Sequence, residues 1–213
     1  MIDRIAIKQA AKATVSQQWG TAVGISLLYG VISFFISLVL GFIPTPFGIL
    51  SYISWFVVIP LFYGMHLGYI RLYSQIPTTA DVIFANYSEN YGRKVGASLL
   101  VGLQIFLWGL LLIIPGIIKA YSYIYTTQII AENPNVTARE AIKLSMRITD
   151  GYKIDIFVMH LSFIGWNILS LFTCGLLYIF YVGPYFNTTT AGYYVELKRL
   201  AIDSGRVEAE AFC

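Results

Sequence analysis

Charged residues are scarce in this chain. Only 12% of its 213 residues are Asp, Glu, Lys or Arg, whereas 57% are hydrophobic and the mean hydropathy is +0.70. Soluble domains carry roughly 25% charged residues, so this composition excludes a globular protein surrounded by water. It also excludes a disordered chain, which needs low hydrophobicity and high charge.

Cysteine and the motifs of common enzymes are scarce or missing too. Cys174 and Cys213 are the only thiols, which excludes a disulfide scaffold. The sequence contains no HExxH, GxSxG, Walker A, GxGxxG or CxxC motif. All eleven acids lie in or beside the segments that carry charge, so the apolar segments contain no carboxylate pair and no metal-ligand cluster. We therefore expect no familiar catalytic centre, no metal and no cofactor.

Three long intervals contain no charged residue at all: 13–70, 95–118 and 156–195. A bilayer core of about 30 Å requires about 20 apolar residues per helix. The intervals therefore predict an all-α membrane protein with six transmembrane helices in three hairpins, at 19–40, 49–73, 95–114, 115–131, 155–173 and 176–197.

The basic residues predict the orientation of these helices. Thirteen of the fourteen lie in or next to the charged segments, and the turns on the other side carry none. The positive-inside rule then places the charged segments and both termini in the cytoplasm, and a bacterial plasma membrane fits such a chain. The net charge of +3 does not indicate nucleic acid, because anionic headgroups account for basic residues beside spans. We expect membrane lipids as partners, with a protein partner on the cytoplasmic side as an alternative.

The cytoplasmic segments resemble one another. Two sets of basic residues recur at four-residue steps: Arg4, Lys8 and Lys12, and then Arg139, Lys143 and Arg147. This spacing aligns each set on one side of a helix and predicts amphipathic helices in the headgroup layer that contact lipid headgroups. Thr137 and Glu140 have the spacing of a capping box. A third surface helix is predicted from Thr78 to Tyr91, without the basic stripe.

These similarities predict one membrane domain, residues 1–213, made of three copies of a surface helix followed by a hairpin. The copies span about 1–73, 74–131 and 132–197, and residues 198–213 form a cytoplasmic tail. The returning helix of each copy contains a proline, Pro60, Pro115 or Pro184, and each is expected to remove a helix hydrogen bond. Gly64 and Gly68 have the four-residue spacing that permits close packing.

Tyrosines, hydroxyls and amides are concentrated in the second, fourth and sixth predicted spans. Hydrocarbon penalises unpaired polar groups, so these side chains are expected to face other helices or water. Two interpretations stay open: hydrogen bonds between helices, or a polar ligand-binding cavity open to the cytoplasm. The residues assigned to this cavity are Tyr69, Lys119, Tyr123, Thr127, Gln128, Asn187, Thr190 and Tyr193.

Three ionisable residues lie in apolar surroundings. Lys119 is the only charge inside a predicted span. Its ammonium can reach the outer surface, only one turn away, or it can serve a function within the membrane. His66 and His160 are expected to be hydrogen-bonded packing residues rather than ligands or proton relays.

Several motifs carry a resemblance to a known family. They are IPGIIKAYSY at 114–123, AENP at 131–134, AREAIKLS at 138–145, DGYK at 150–153, LSFIGW at 161–166, PY at 184–185 and AGYY at 191–194. Together they resemble the bacterial integral-membrane family catalogued as domain of unknown function 975, which is distantly similar to the membrane domain beside some glycerophosphodiester phosphodiesterases. The resemblance implies the six-span architecture, but it implies no activity or substrate. The resemblance leaves open whether the matching residues have a structural or a functional role; they include Lys119, Ser145, Trp166 and Pro184.

The sequence predicts a non-enzymatic multi-pass membrane protein that binds or moves a lipid-like or amphipathic small molecule. The alternative is a non-catalytic scaffold or accessory subunit that engages a partner protein through the cytoplasmic helices. A third hypothesis is an enzyme acting at the cytoplasmic headgroup layer, with Glu132, Asp150 or Asp155 as its acid.

Overall fold

The computed structural model describes residues 2–42, 49–85, 87 and 89–212, and its regular structure is helical, without a strand. The turn of the first predicted hairpin, residues 43–48, lies outside these residues, as does Cys213. The α-helices are α1 Arg4–Gln17, α2 Trp19–Gly41, α3 Ile49–Tyr73, α4 Tyr91–Leu111, α5 Ile113–Tyr123, α6 Thr126–Glu132, α7 Ala138–Thr149, α8 Lys153–Leu161, α9 Ile164–Phe172 and α10 Gly183–Asp203. The shorter elements are 3-10 helices at Ala80–Phe84 and Ala209–Phe212 and a π-helical turn at Tyr178–Val182.

Four helical stretches in the described part of the chain are long and apolar enough to cross a membrane: Trp19–Gly41, Ser54–Tyr73, Tyr91–Leu111 and Lys153–Phe172. Only 11% of the apolar window is buried in the first and third stretches. Their exposed side chains are large and apolar, such as Phe35, Leu103 and Phe106. Soluble proteins rarely expose apolar surface on this scale, whereas lipid solvates it.

Helix α3 is the centre of the bundle. Helices α2, α4, α6 and α10 all pack against it, and 61% of the apolar window of Ser54–Tyr73 is buried. Tyr63 and Tyr69 are among its fully buried side chains. Because α3 is covered on several sides, its polar side chains face other helices rather than lipid.

Pro60 lies inside α3, as predicted. Proline has no N–H, so the carbonyl of Phe56, four residues earlier, loses its helical partner. The Tyr91 hydroxyl donates a hydrogen bond to that carbonyl at 2.9 Å, and the Tyr87 hydroxyl donates to the adjacent Val57 carbonyl at 3.3 Å. Tyr87 and the first residue of α4 therefore supply hydrogen-bond donors, which hydrocarbon cannot supply.

Pro115 does not interrupt a helix, which corrects the prediction for this residue. It lies in the first turn of α5, where the N–H groups have no intrahelical acceptor, so proline removes no bond there. Pro184 follows the π-helical turn without a break in the helix. The carbonyl of Phe180, four residues before Pro184, accepts a hydrogen bond from the Trp19 indole N–H at 3.1 Å instead. Loss of a helix-interior hydrogen bond is therefore confirmed for Pro60 and Pro184 and wrong for Pro115.

Two helices, α5 and α6, occupy the range of the predicted fourth span, with a break at Ile124 and Tyr125. The Ser145 hydroxyl of α7 donates to the Ser122 carbonyl at 2.8 Å and accepts from the Tyr125 N–H at 3.2 Å. Ser145 is fully buried. One hydroxyl thus pairs both backbone groups beside the break and fixes α7 against it, which gives this motif residue a structural role.

The predicted surface helices form to different extents. Helices α1 and α7 are present, and the Thr137–Glu140 capping box is confirmed. The Thr137 hydrogen bonds lower the pKa of Glu140 because they favour its carboxylate. The predicted middle helix is wrong in length: among its described residues, only the 3-10 helix Ala80–Phe84 forms.

Candidate functional site

The residues predicted to line one polar cavity are divided among several places. Tyr69 and Asn187 come together between α3 and α10. Thr190 donates to the Phe186 carbonyl of its own helix at 2.9 Å. Tyr193 is fully buried, and its hydroxyl has no hydrogen-bond partner among the described groups.

The other predicted cavity residues lie on the α5–α6 side. Gln128 Nε2 lies 3.3 Å from His66 Nδ1, and Thr127 lines a cavity between α3 and α4. Tyr123 lies beside Trp108, and the Lys119 ammonium is 5.1 Å from the centre of the same ring. The prediction of a single polar cavity therefore needs correction, because these side chains have different neighbours.

The largest cavity among those described is a groove between α2 and α10, which we call the α2–α10 groove. Its volume is about 550 Å³. The residues that line it are Ser26, Leu27, Tyr29, Gly30, Val31, Phe34, Phe35, Phe62, Met65, Tyr178, Ile179, Gly183 and Asn187. Val31, Phe34 and Phe35 are exposed at its wall, so the groove opens toward the lipid-facing surface.

One end of the α2–α10 groove is polar. The Tyr69 hydroxyl donates to the Ala22 carbonyl at 2.8 Å and shares a hydrogen bond with the Ser26 hydroxyl at 2.5 Å. The Asn187 side chain lies beside the same tyrosine hydroxyl. None of the residues that line the groove is charged. The groove therefore offers apolar walls and an uncharged hydrogen-bonding end, an arrangement suited to an amphiphile.

A second cavity of about 340 Å³ lies between α3 and α4. Tyr29 and Phe62 line both this cavity and the α2–α10 groove, with their ring centres 6.2 Å apart. In the second cavity, the Tyr63 and Ser98 hydroxyls share a hydrogen bond of 3.1 Å. The Tyr29–Phe62 pair therefore forms a wall common to two neighbouring spaces.

Sequence reasoning missed the α2 side of the groove, because it searched for polar residues in the even-numbered spans. A signal was present in α2. Ser26 and Gly30 are small and four residues apart, so they lie on one side of the helix. A Cβ atom added at Gly30 would meet nothing within 4 Å. The small residues therefore leave the space that the groove occupies.

The basic residues predicted to contact lipid headgroups fall into two groups. Arg4 pairs with Asp155 at 3.6 Å, and Lys8 donates to the Ser162 hydroxyl at 3.0 Å. Burial lowers the pKa of Lys8, because desolvation disfavours its ammonium. The second group is exposed: Lys12, Arg139, Lys143 and Arg147. Contacts within the protein therefore hold Arg4 and Lys8, whereas the four residues of the second group can face a membrane surface.

The sequence left two positions open for Lys119, and the structure gives its ammonium neighbours from α4, α7 and α8. It lines a cleft together with basic residues of α7 and α8. The ring of Trp108 lies under its ammonium and favours this position through a cation–π contact. The packing of α7 onto the α5–α6 break brings the other cations to the same place.

The two histidines and Glu132 form contacts with other residues of the protein. His160 Nδ1 lies 2.8 Å from the Ile156 carbonyl, and His66 contacts Gln128, as expected for packing histidines. Glu132 accepts hydrogen bonds from Tyr194 at 2.6 Å and from Lys198 at 2.7 Å. Within the described ranges, no three His, Cys, Asp or Glu residues are grouped as metal ligands. These contacts do not support the hypothesis of an enzyme that uses Glu132 as its acid.

The all-helical fold, the four apolar helices and the exposed apolar surface are consistent with an α-helical membrane protein. Residues 83–201, more than half of the chain, match the family described as Protein of unknown function (DUF975). The chain belongs to this family, which confirms the resemblance noted in its motifs. No curated protein and no solved structure matches it. The likeness to the membrane domain beside some glycerophosphodiester phosphodiesterases stays a prediction.

Proposed function

We propose that this protein binds a lipid-like amphiphile in the α2–α10 groove, with the chain of the ligand along the apolar walls and its head at Ser26 and Asn187. The observation that carries the proposal is a space of about 550 Å³ with one hydrogen-bonding end. Binding sites for small molecules occupy about 300–1,000 Å³ and place a few polar groups in an apolar lining. The groove has both properties.

The groove also favours one class of amphiphile. Its exposed wall lets a molecule enter sideways from a bilayer, and its polar end has hydroxyl and amide groups but no charge. A head that exchanges neutral hydrogen bonds, such as the glycerol of a monoacylglycerol, suits this end. A charged head would lose its hydration there without gaining a counter-ion.

We further propose that six helices cross a bacterial plasma membrane with both termini in the cytoplasm. The fourth would be α5 with α6, and the sixth the π-helical turn with α10. Three units of about 1–73, 74–131 and 132–197, each a short helix followed by a hairpin, would then form one domain, with 198–213 as its tail. The order of short and long helices supports this arrangement.

The two native cysteines test the proposed orientation. Cys174 is an exposed free thiol in the turn after α9, which the proposal places outside the cell. With Cys213 changed to serine, we expect a membrane-impermeant maleimide to label Cys174 in intact spheroplasts. The matched variant Cys174→Ser should be labelled at Cys213 only after permeabilisation. Labelling of both variants from the same side would contradict the topology.

Filling the groove tests the proposed function. A leucine at Gly30 projects into open space, so Gly30→Leu should fold normally while its side chain occupies the ligand volume. We expect affinity for mono-oleoylglycerol to fall about tenfold or more, since overpacking a filled apolar site costs about 1–3 kcal/mol. Native mass spectrometry of the purified, delipidated protein measures this binding.

The control is Gly20→Leu, a second open glycine on α2 that does not line the groove. It should retain the affinity of the original protein. Equal affinity in all three proteins, or no retention of the probe by any of them, would contradict the amphiphile proposal. A single protein recovered repeatedly by crosslinking to the cytoplasmic helices would then favour the scaffold alternative.

A further inference from the structure

Four basic side chains converge on one cleft between α5, α7 and α8, which we call the cationic cleft. It has a volume of about 320 Å³ and is separate from the α2–α10 groove. The residues that line it are Lys119, Ser122, Lys143, Met146, Arg147, Asp150 and Lys153. One carboxylate, that of Asp150, faces four cations, so the cleft carries a clear excess of positive charge.

The ion pairs of the described residues join other side chains, and the acidic neighbours of the cleft, Asp150 and Glu140, are fewer than its four cations. Ion pairs join Arg4 to Asp155, Lys198 to Glu132 and Arg199 to Glu196. Of the ion pairs between described residues, none involves a side chain of the cationic cleft. Several cations that face one small space repel one another unless an anion lies between them. The cleft is therefore built to accept an anion.

The groups present fit a phosphate. Arg147 offers the planar fork of donors that matches phosphate oxygens, and the three lysines offer ammonium groups that bind phosphate as point charges. Lys119 is also positioned by the Trp108 ring, 5.1 Å from its ammonium. Basic pockets between membrane helices on the cytoplasmic side are places where anionic headgroups bind.

The surface beside the cleft is apolar. Ile118 and Ile154 are neighbours in the chain of the lining residues Lys119 and Lys153, and both are exposed. Acyl chains attached to a bound phosphate could lie on these side chains, whereas a soluble phosphate would leave them uncovered.

We propose that the cationic cleft is a binding site for a phosphate group, carried by an anionic phospholipid. The site does not depend on ligand binding in the α2–α10 groove. It gives Lys119 a partner outside the protein and joins Lys143 and Arg147 into one site, rather than leaving them as separate contacts with a headgroup layer.

Neutralising two exposed members of the cleft tests this site. In the full chain, Lys143→Gln with Arg147→Gln should weaken binding of phosphatidylglycerol about 25-fold, since each charge near a membrane surface contributes roughly a fivefold factor. Native mass spectrometry in detergent measures the affinity, with phosphatidylcholine as the zwitterionic comparison. Both side chains are exposed, so the variant should fold, and the single variant Lys143→Glu provides a second test with reversed charge.

The matched control is Lys12→Gln with Arg139→Gln, which removes two exposed charges outside the cleft. Lys12 and Arg139 are predicted headgroup contacts that do not converge with other cations, so this variant should lose much less affinity than the cleft variant. Glycerol 3-phosphate, titrated by calorimetry, identifies the source of the phosphate. Binding of phosphatidylglycerol alone supports the phospholipid, and equally strong, variant-sensitive binding of both probes supports a phosphate site open to soluble ligands. Equal losses in the two double variants, or no loss in either, would overturn the proposal, whatever Gly30→Leu does.

Discussion

Replacing Gly64 with alanine should lower the free energy of unfolding by about 3 kcal/mol, the upper end of the usual cost of overpacking. A Cβ atom at Gly64 would overlap the carbonyl oxygen of Ile83 and lie 2.7 Å from its Cα. These are backbone atoms, so a side-chain rotation cannot relieve the contact. The 3-10 helix Ala80–Phe84 would have to move away from α3. Titration with a denaturing detergent measures the loss.

Gly102→Ala provides the control, because a Cβ atom there would meet nothing within 4 Å. Alanine is a better helix former than glycine, so this variant should be unchanged or slightly more stable. Gly64→Ala should also speed hydrogen exchange at residues 80–84, where Ile83 loses its position. Equal stability of the two variants would show that the 3-10 helix does not depend on the close approach.

The spacing of Gly64 and Gly68 was a sound reason to expect close packing, but the partner could not be predicted from it. The spacing named no partner. The 3-10 helix lies against both glycines, and α2 also approaches Gly68: a Cβ atom there would meet Val82 at 2.7 Å and Ile25 at 2.9 Å. The spacing of the glycines indicates only that the surface of α3 is open at these two positions. Which segment packs there depends on the path of the chain between α3 and α4.

The apolar helices were predictable because their cause is local. Hydrocarbon does not solvate charge, so an interval such as 13–70 indicates membrane helices from composition alone. The capping box at Thr137 was predictable for the same reason, since both partners lie within one turn. The break between α5 and α6 was not, because its stability depends on the Ser145 hydroxyl, which comes from another helix.

The candidate sites show the same limit. Polar residues such as Gln128 and Thr190 were expected to share a cavity because they occur in even-numbered spans, but a span does not reveal which side faces which neighbour. Lys143 and Arg147 were recognised as exposed cations on one helix. They lie close to Lys119 because α7 packs against α5. The spacing of residues within either helix does not indicate this packing.

Replacing Arg93 with alanine should lower the free energy of unfolding by about 3 kcal/mol or more. The guanidinium donates to the carbonyls of Asn133 at 2.8 Å, Val136 at 2.6 Å and Ile130 at 3.2 Å. These carbonyls lie at the end of α6 and in the following turn, where a helix leaves its last acceptors unpaired. Hydrogen bonds to charged groups contribute about 1.5–3 kcal/mol each, so the loss of three outweighs any relaxation of the turn.

Two comparisons separate this capping role from a general effect of charge. Arg93→Lys keeps the charge, but a compact ammonium cannot span three carbonyls as the planar guanidinium does, so it should recover only part of the stability. Arg139→Ala removes an exposed arginine that makes no hydrogen bond or ion pair with a described residue, and it should change stability by less than about 0.5 kcal/mol. Detergent titration compares the stability of all three variants. Hydrogen exchange at residues 130–136 should be faster in Arg93→Ala and unchanged in Arg139→Ala. If Arg93→Ala matched Arg139→Ala, the three carbonyls would have to be satisfied by water, and the start of α4 would not hold the end of α6 in place.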